Sequence, residues 1–447
     1  MNQMINLEKL QNDASTLVET AIGAGADACD CIVAHSQSLA VGVREGQVED
    51  TNRSEKDALT LRVFCGNQVA NVTANAMDDP VGLATRAVAM AKVSPEDQYQ
   101  GLAPSELLAD KIPDLDLADS SIPDAQGLID SALACEAAGL EVDGIEKSMG
   151  AGAGWAMSGF VLATSDGFEG NYSISRFMAS AAMVAGSGTS MERDYEHRAA
   201  VHETDLPDLA EIGRIAGERT VRRLGPQQAE SGRVPIVFDR RVAGGLLGNM
   251  MGAINGAAIA RKTSFLRDQM GKQIASANIT VRDNPLKPRG LGSSPFDGEG
   301  MSGRELVPVE NGILKEWILD WASARELGLE SNFRASRSGA GISPSTTNCH
   351  IEPGSQSPDE MIKSIGTGLY LTETIGHGIN MVTGDYSKGA SGFWIENGEI
   401  AYPVAEITIA GNLKDMFLNM TPADDLEFRG SVNSPTLLVE GMTIGGK

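Results

Sequence analysis

The side chains able to do chemistry in this 447-residue chain are few and scattered. There are five histidines, His35, His197, His202, His350 and His377, and five cysteines, Cys29, Cys31, Cys65, Cys135 and Cys349. A catalytic zinc needs three protein ligands and an open position for water. No two of these histidines stand at a ligand spacing on one expected element. The HExxH, paired CxxC, GxSxG and GxxxxGK[ST] patterns are all absent. Cys29 and Cys31 fall on one face of a strand and read as reduced core thiols. Cys349 and His350 are adjacent on an expected strand and so point to opposite faces, which argues against a Cys/His catalytic pair. Three residues are left as candidate cleft groups: His377, set between Gly376 and Gly378, and the loop neighbours Asp385 and Tyr386. The alternative reading is a satisfied loop histidine and solvated loop residues.

These groups must be held by elements of two kinds. The first half reads as helices interleaved with antiparallel strands. Helices are expected over residues 7–24, 80–92, 124–138 and 205–224, and short strands over 28–34, 39–43, 61–64 and 68–72. Ser165-Asp166-Gly167 marks a hairpin between 160–164 and 168–174. Arg214, Arg219, Arg222 and Arg223 are expected on a solvated helix face. The GAGAG run at 150–154 and the GAG at 339–341 read as turn or bulge material. The polar stretch 226–232 is the expected domain boundary. The fold class is therefore α+β in two domains: residues 1–225, α/β with an antiparallel sheet, and residues 233–447, mostly β with a few helices.

The second half centres on residues 242–265, VAGGLLGNMMGAINGAAIARKTSF. Val242, Leu246, Leu247, Met250, Met251 and Ile254 recur at helical spacing. Five glycines interrupt them, and each costs a helix interior roughly 0.5–1 kcal/mol against Ala. The expectation is a core helix whose glycines allow close backbone approach, so that Gly252→Leu would overpack it. Asn311-Gly312 and Asn397-Gly398 predict type I′ hairpins, and Ser357-Pro358-Asp359-Glu360 a capping box. The Gly/Ser/Pro-rich loop 287–303 is long enough to be functional or mobile.

The bulk numbers narrow the function classes. A formal charge of −24 repels phosphate backbones and argues against nucleic-acid partners. No run approaches the roughly 18–20 apolar residues of a membrane span, and residues 1–13 lack the basic start and apolar core of a signal peptide. A cytoplasmic location is expected.

Four stretches resemble the TldD/PmbA family, and within it the PmbA (TldE) branch. They are VPIVFDRRVAGGLLGNMMGAINGAAIARKTSF, PRGLGSSPFDGEG, GLYLTETIGHGINMVTGDYSKGASGFWIENGEIAYPVAEITIAGNL and SPTLLVEGMTIGGK. The resemblance implies a chain that pairs with a TldD-type catalytic subunit. That subunit carries a HExxxH helix, uses a metal ion, zinc by expectation, and takes unfolded peptide into a shared cleft. On this chain the HExxxH would fall on Gly248, Asn249 and Ala253. Gly248 and Ala253 cannot bind metal, and the Asn249 amide cannot serve as general base. The third ligand of the active branch is a Cys near the end of the chain, and no Cys follows Cys349 here. The expectation is a catalytically silent subunit with no cofactor of its own, forming a heterodimer, with a homodimer as a further option in isolation. The alternatives are an independent hydrolase with a dispersed active site and an indirect regulator of DNA gyrase.

Overall fold

The computed structural model describes residues 5–339 and 341–447, and shows an α+β protein. Ala340, inside the GAG run at 339–341, lies outside the described residues. The first half is built on one six-stranded antiparallel sheet. In chain order its elements are α1 (Leu7–Gly23), β1 (Ala28–Arg44), β2 (Gln47–Cys65), β3 (Gln68–Ala74), α2 (Pro80–Ala91), α3 (Ala125–Leu140), β4 (Ile145–Thr164), β5 (Glu169–Ala185), β6 (Glu192–Ala200) and α4 (Leu209–Arg222). The strands lie in the order β3-β2-β1-β4-β5-β6. One apolar cluster, with Leu17, Leu61 and Val63, joins α1 and α2 to the sheet. A second, with Cys135, Met183 and Ile212, seats α3 and α4 on it.

Two expectations need correction here. The short strands 28–34 and 39–43 are one 17-residue strand, and β2 runs 19 residues back through the polar stretch 47–57. That stretch is solvent-exposed, so it shows no apolar alternation to mark it as strand. Its turn, Glu45-Gly46, has φ of 52° and 75°, the pair of positive values a type I′ hairpin uses. The GAGAG run lies inside β4. Only Gly150 marks a bulge, at φ 124° beside a register shift from Ser148.

The second half opens with β7 (Gly232–Phe238), α5 (Arg240–Ala253) and the short α6 (Gly256–Ala260). It later supplies β8 (Gly368–Ile375), β9 (Asp385–Glu396), β10 (Glu399–Asn412) and β11 (Leu437–Gly445). β8 pairs parallel to β7, and the antiparallel pairs β8–β9, β9–β10, β10–β11 and β11–β7 close a five-stranded ring. Closure leaves no free edge around the ring. The largest apolar core joins this ring to the inner face of α5. Both Asn-Gly turns have the expected positive φ, at Asn311-Gly312 and Asn397-Gly398. The capping box is present: the Glu360 N–H donates to Ser357 Oγ (3.3 Å) and the Ser357 N–H to Glu360 Oε2 (2.9 Å).

The two halves meet along a charged seam. Loop 287–303 is docked there, with Phe296 packed edge-on against Phe168 and Tyr172 at 5.4 Å. Asp297 and Glu299 from this loop are buried, and Arg62 of β2 reaches Glu299 at 3.8 Å while donating from Nε to Asp30 at 2.8 Å. Burial pushes both the Asp297 and Glu299 carboxyls above the usual carboxylate range. The expected solvated arginine face is corrected as well. Arg214 is exposed and pairs with Glu218, but Arg223 donates to Glu373 (2.7 Å), Arg219 pairs with buried Glu196, and Arg222 lies over the Phe393 ring. Their partners stand far away in sequence, so α4 alone gives no sign of them.

Candidate functional site: a cleft along the glycine-faced helix

α5 starts at Arg240, two residues before the expected stretch. Asp239 caps it by accepting the Arg241 N–H (2.9 Å), and the Tyr370 hydroxyl of β8 donates to the same carboxylate (2.6 Å). Ala243, Leu246, Leu247, Met250, Met251 and Ala253 are buried. The 242–265 stretch is not one helix. α5 ends at Ala253, and Asn255 caps α6 by accepting the Ala257 N–H (3.1 Å). Gly256 is the one glycine here under compression: a Cβ would lie 2.5 Å from Leu319 Cδ2 and 2.9 Å from the Ile318 carbonyl oxygen.

The other glycines do the reverse of what the sequence suggests. Gly245, Gly248 and Gly252 are exposed and stand three and four residues apart, on one face. A Cβ at Gly245 or Gly248 would meet nothing within 4 Å, and at Gly252 only Met381 Cε at 3.5 Å. They bare a strip of helix backbone to the outside, and overpacking by Gly252→Leu is no longer expected.

Two cavities lie at the N-terminal part of α5, one of them reaching the strip at Gly245. One, of about 300 Å³, is lined by Arg193, Tyr195, Arg223, Gly245 and the end of β8. The other, of about 170 Å³, lies at the start of α5, between β6 and residues 427–434. Its walls include Tyr195, His197, Arg240, Gly244, Glu427 and Arg429. Arg241, between the two, donates to Asp194 at 3.0 Å. Beneath, the buried Glu196 carboxylate receives Arg198, Arg219 and Arg429. Burial first, then Arg198 and Arg241, hold His197 below the ordinary histidine range. β6 is an edge strand, yet its backbone is already engaged. The Tyr195 N–H donates to Asp194 Oδ1 (2.7 Å), the His197 N–H to Glu196 Oε1 (3.1 Å), and the His197 carbonyl accepts from Arg429 (3.2 Å). That makes β6 a poor template for an added strand.

The sequence candidates separate. Gly248 is exposed, Asn249 is half-buried and Ala253 is fully buried, so the three do not share a face. His377 is exposed in the loop after β8 and lines neither cavity. Asp385 accepts from Thr383 Oγ1 (2.6 Å) and Asn412 Nδ2 (3.1 Å), bonds that tie the base of the β9–β10 hairpin and hold its carboxyl below the usual range. Tyr386 is corrected from cleft to core: it is 4% exposed, and burial pushes its hydroxyl well above the ordinary tyrosine range. Cys29, Cys31 and Cys349 are buried free thiols, all raised by burial. Sequence reasoning missed the arginine cluster. One signal was present: Arg240 and Arg241 sit at a helix N-terminus, where the macrodipole disfavours cations unless tertiary partners compensate.

The chain matches the PmbA/TldA metallopeptidase domain 1 over residues 29–91, the central domain over 118–224 and the C-terminal domain over 231–446. It is 35% identical to metalloprotease PmbA of Escherichia coli O157:H7 over 98% of this chain and 96% of that one. It is also 35% identical to a metalloprotease PmbA homolog of Haemophilus influenzae, with the same coverage. The chain belongs to the PmbA/TldA metallopeptidase family. The fold agrees with the crystal structure of TldE from Thermococcus kodakarensis, with a TM-score of 0.84 and 20% identity over 97% of this chain and 99% of that one. Among the described residues no helix is long and apolar enough to cross a membrane.

The family name implies a metal, and the residues present do not fit one at α5. Gly248 has no side chain, Ala253 has no donor and is buried in the core, and Asn249 offers a single neutral amide. Among the described residues no group of three or more His, Cys, Asp or Glu side chains is arranged to hold an ion.

Proposed function

We propose that this chain is a non-catalytic subunit of a cytoplasmic TldD-type metallopeptidase, pairing with a metal-bearing partner and helping to hold unfolded peptide for cleavage. What supports the reading is α5: the resemblance puts the active branch's two histidines and glutamate on Gly248, Asn249 and Ala253, of which Gly248 and Ala253 cannot ligate a metal and Asn249 cannot act as general base. The helix keeps its place and its buried face, and its outer face is bare backbone beside two cavities. Such a face suits close approach by another chain more than it suits chemistry. The partner would supply metal, general base and attacking water. This chain would supply a wall of the cleft.

The test is reconstitution. The chain purified alone is expected to hold under about 0.1 zinc per chain and to leave unfolded peptide uncut, since a zinc hydrolase needs three protein ligands. Adding a TldD-type subunit is expected to give a mixed dimer on size exclusion and to start cleavage. Stoichiometric zinc with peptidase activity in the lone chain would overturn the silent role. Failure of the two subunits to co-elute would overturn the pairing.

A further inference from the structure

Arginines gather around and beneath the smaller cavity. Four guanidiniums, Arg198, Arg219, Arg240 and Arg429, meet two carboxylates, Glu196 and Glu427. Arg241 is left out of this count because Asp194 and Asp239 neutralise it. Four guanidiniums are thus gathered on two carboxylates at close range, with Asp194 and Asp239 acting on Arg219 and Glu211 on Arg198 from further off, in a chain whose formal charge is −24. Nη1 of Arg429 is buried and has no hydrogen-bond partner, and Oε2 of Glu427 on the same cavity meets Arg240 only as an ion pair at 3.1 Å. A buried N–H of a charged group without an acceptor is costly, and native structures rarely tolerate one. The acceptor it lacks belongs in the cavity that Arg429 lines.

Other features of that cavity favour an anion. Its volume of about 170 Å³ exceeds the roughly 30 Å³ share of one water, so a small polyatomic ion has room. Arg240, Arg241 and Gly244, from the first turns of α5, form part of its wall, and the N-terminal end of a helix carries partial positive charge. Gly244 presents no side chain to fill the space. Guanidiniums bind planar and tetrahedral oxyanions through paired N–H donors.

We propose that the cavity between β6, the start of α5 and residues 427–434 is a binding site for a small oxyanion, either the carboxylate end of a peptide or free phosphate. The proposal goes beyond the silent-subunit reading and is read on this chain alone, so either can fail without the other.

Isothermal titration of the full chain tests it with three probes: trialanine free acid, trialanine amide and sodium phosphate. At least one anionic probe is expected to bind one per chain. Arg429→Gln and Arg240→Gln are each expected to weaken that binding about tenfold or more, the scale of a lost charge-assisted hydrogen bond. Arg214→Gln, on the exposed side of α4, is expected to leave it unchanged. Binding of the free acid but not the amide identifies a peptide end. Binding of phosphate with both peptides silent identifies a free anion. Arg429 also pairs with buried Glu196 and its loss threatens folding, whereas Arg240 is 34% exposed at the rim and gives an independent reading. No binding of either anion up to about 10 mM, a threshold near −2.7 kcal/mol, overturns the proposal. So does binding undiminished in the well-folded Arg240→Gln variant.

Discussion

Replacing Gly245 and Gly248 by alanine is expected to make this protein more stable. Both lie inside α5, both are exposed, and an added methyl group at either meets nothing within 4 Å. Neither has positive φ, so neither needs glycine for its backbone. With no steric penalty, what remains is the helix propensity difference of roughly 0.5–1 kcal/mol per site. The two are three residues apart, and methyl groups at that spacing do not collide. The pair should therefore add about 1–2 kcal/mol, seen as a higher urea midpoint at unchanged slope. Gly256→Ala is the matched control. There the methyl group would press on the Ile318 carbonyl oxygen, so a loss of about 1–3 kcal/mol is expected. If the double alanine variant falls in stability as Gly256→Ala does, the outer face of α5 is packed and the argument for a bare cleft fails. A second readout is function. If the strip serves to admit a peptide or partner chain, the stabilised variant should pair or support cleavage less well, the trade-off expected where a site is kept at the expense of stability.

Further outcomes follow from the buried charges. Arg334→Met removes a fully buried guanidinium that donates to Asp283 (2.5 Å) and to the carbonyls of Arg304, Asn332 and Phe333, and should lose about 3–5 kcal/mol in urea denaturation. Asp297 and Glu299 have folded pKa values raised above their unfolded ones, so the folded chain binds more protons; their contribution is complete at low pH and is lost as pH rises above the usual carboxylate range. Glu299→Gln should flatten that fall between pH 6 and about 8, measured by melts across pH, and an unaltered slope would refute the assignment. Glu373→Ala strips Arg223 and Arg193 of a shared carboxylate at the seam between the halves, and should lower the melting temperature with a smaller effect at high salt.

What the sequence made legible was local. Asn397-Gly398 and the Ser357–Glu360 box each act within four residues, and each is found where its chemistry requires. The α+β class follows from the same signals. What it hid was long-range pairing. The polar length of β2 carries no alternation because it is exposed. Arg219 and Arg223 look solvated until Glu196 and Glu373 arrive from other elements. The glycines of residues 242–265 announce close packing at every position, yet only Gly256, in α6, has it, because spacing cannot tell which face meets a neighbour. Loop 287–303 reads as functional or mobile by its length, and Phe296, Asp297 and Glu299 are buried in contact with the first half. At the site, the empty metal positions could be read from the resemblance, while the arginine cluster depends on residues 196, 240 and 429 coming together.

Ring closure also sets the order in which the molecule can be made. β7 is flanked by β8 on one side and β11 on the other, and Arg233 pairs with Thr443. These two partners are roughly 200 residues apart, about 10–40 s of synthesis at roughly 5–20 residues per second. Through that interval the ring stays open: β7 waits for β8 and then, until the end, for β11. The first sheet, complete by Ala200, can assemble beforehand. A nascent chain of this protein thus spends most of its second half as a finished sheet trailing an unfinished ring, and that is the stage at which chaperone contact and misassembly would concentrate.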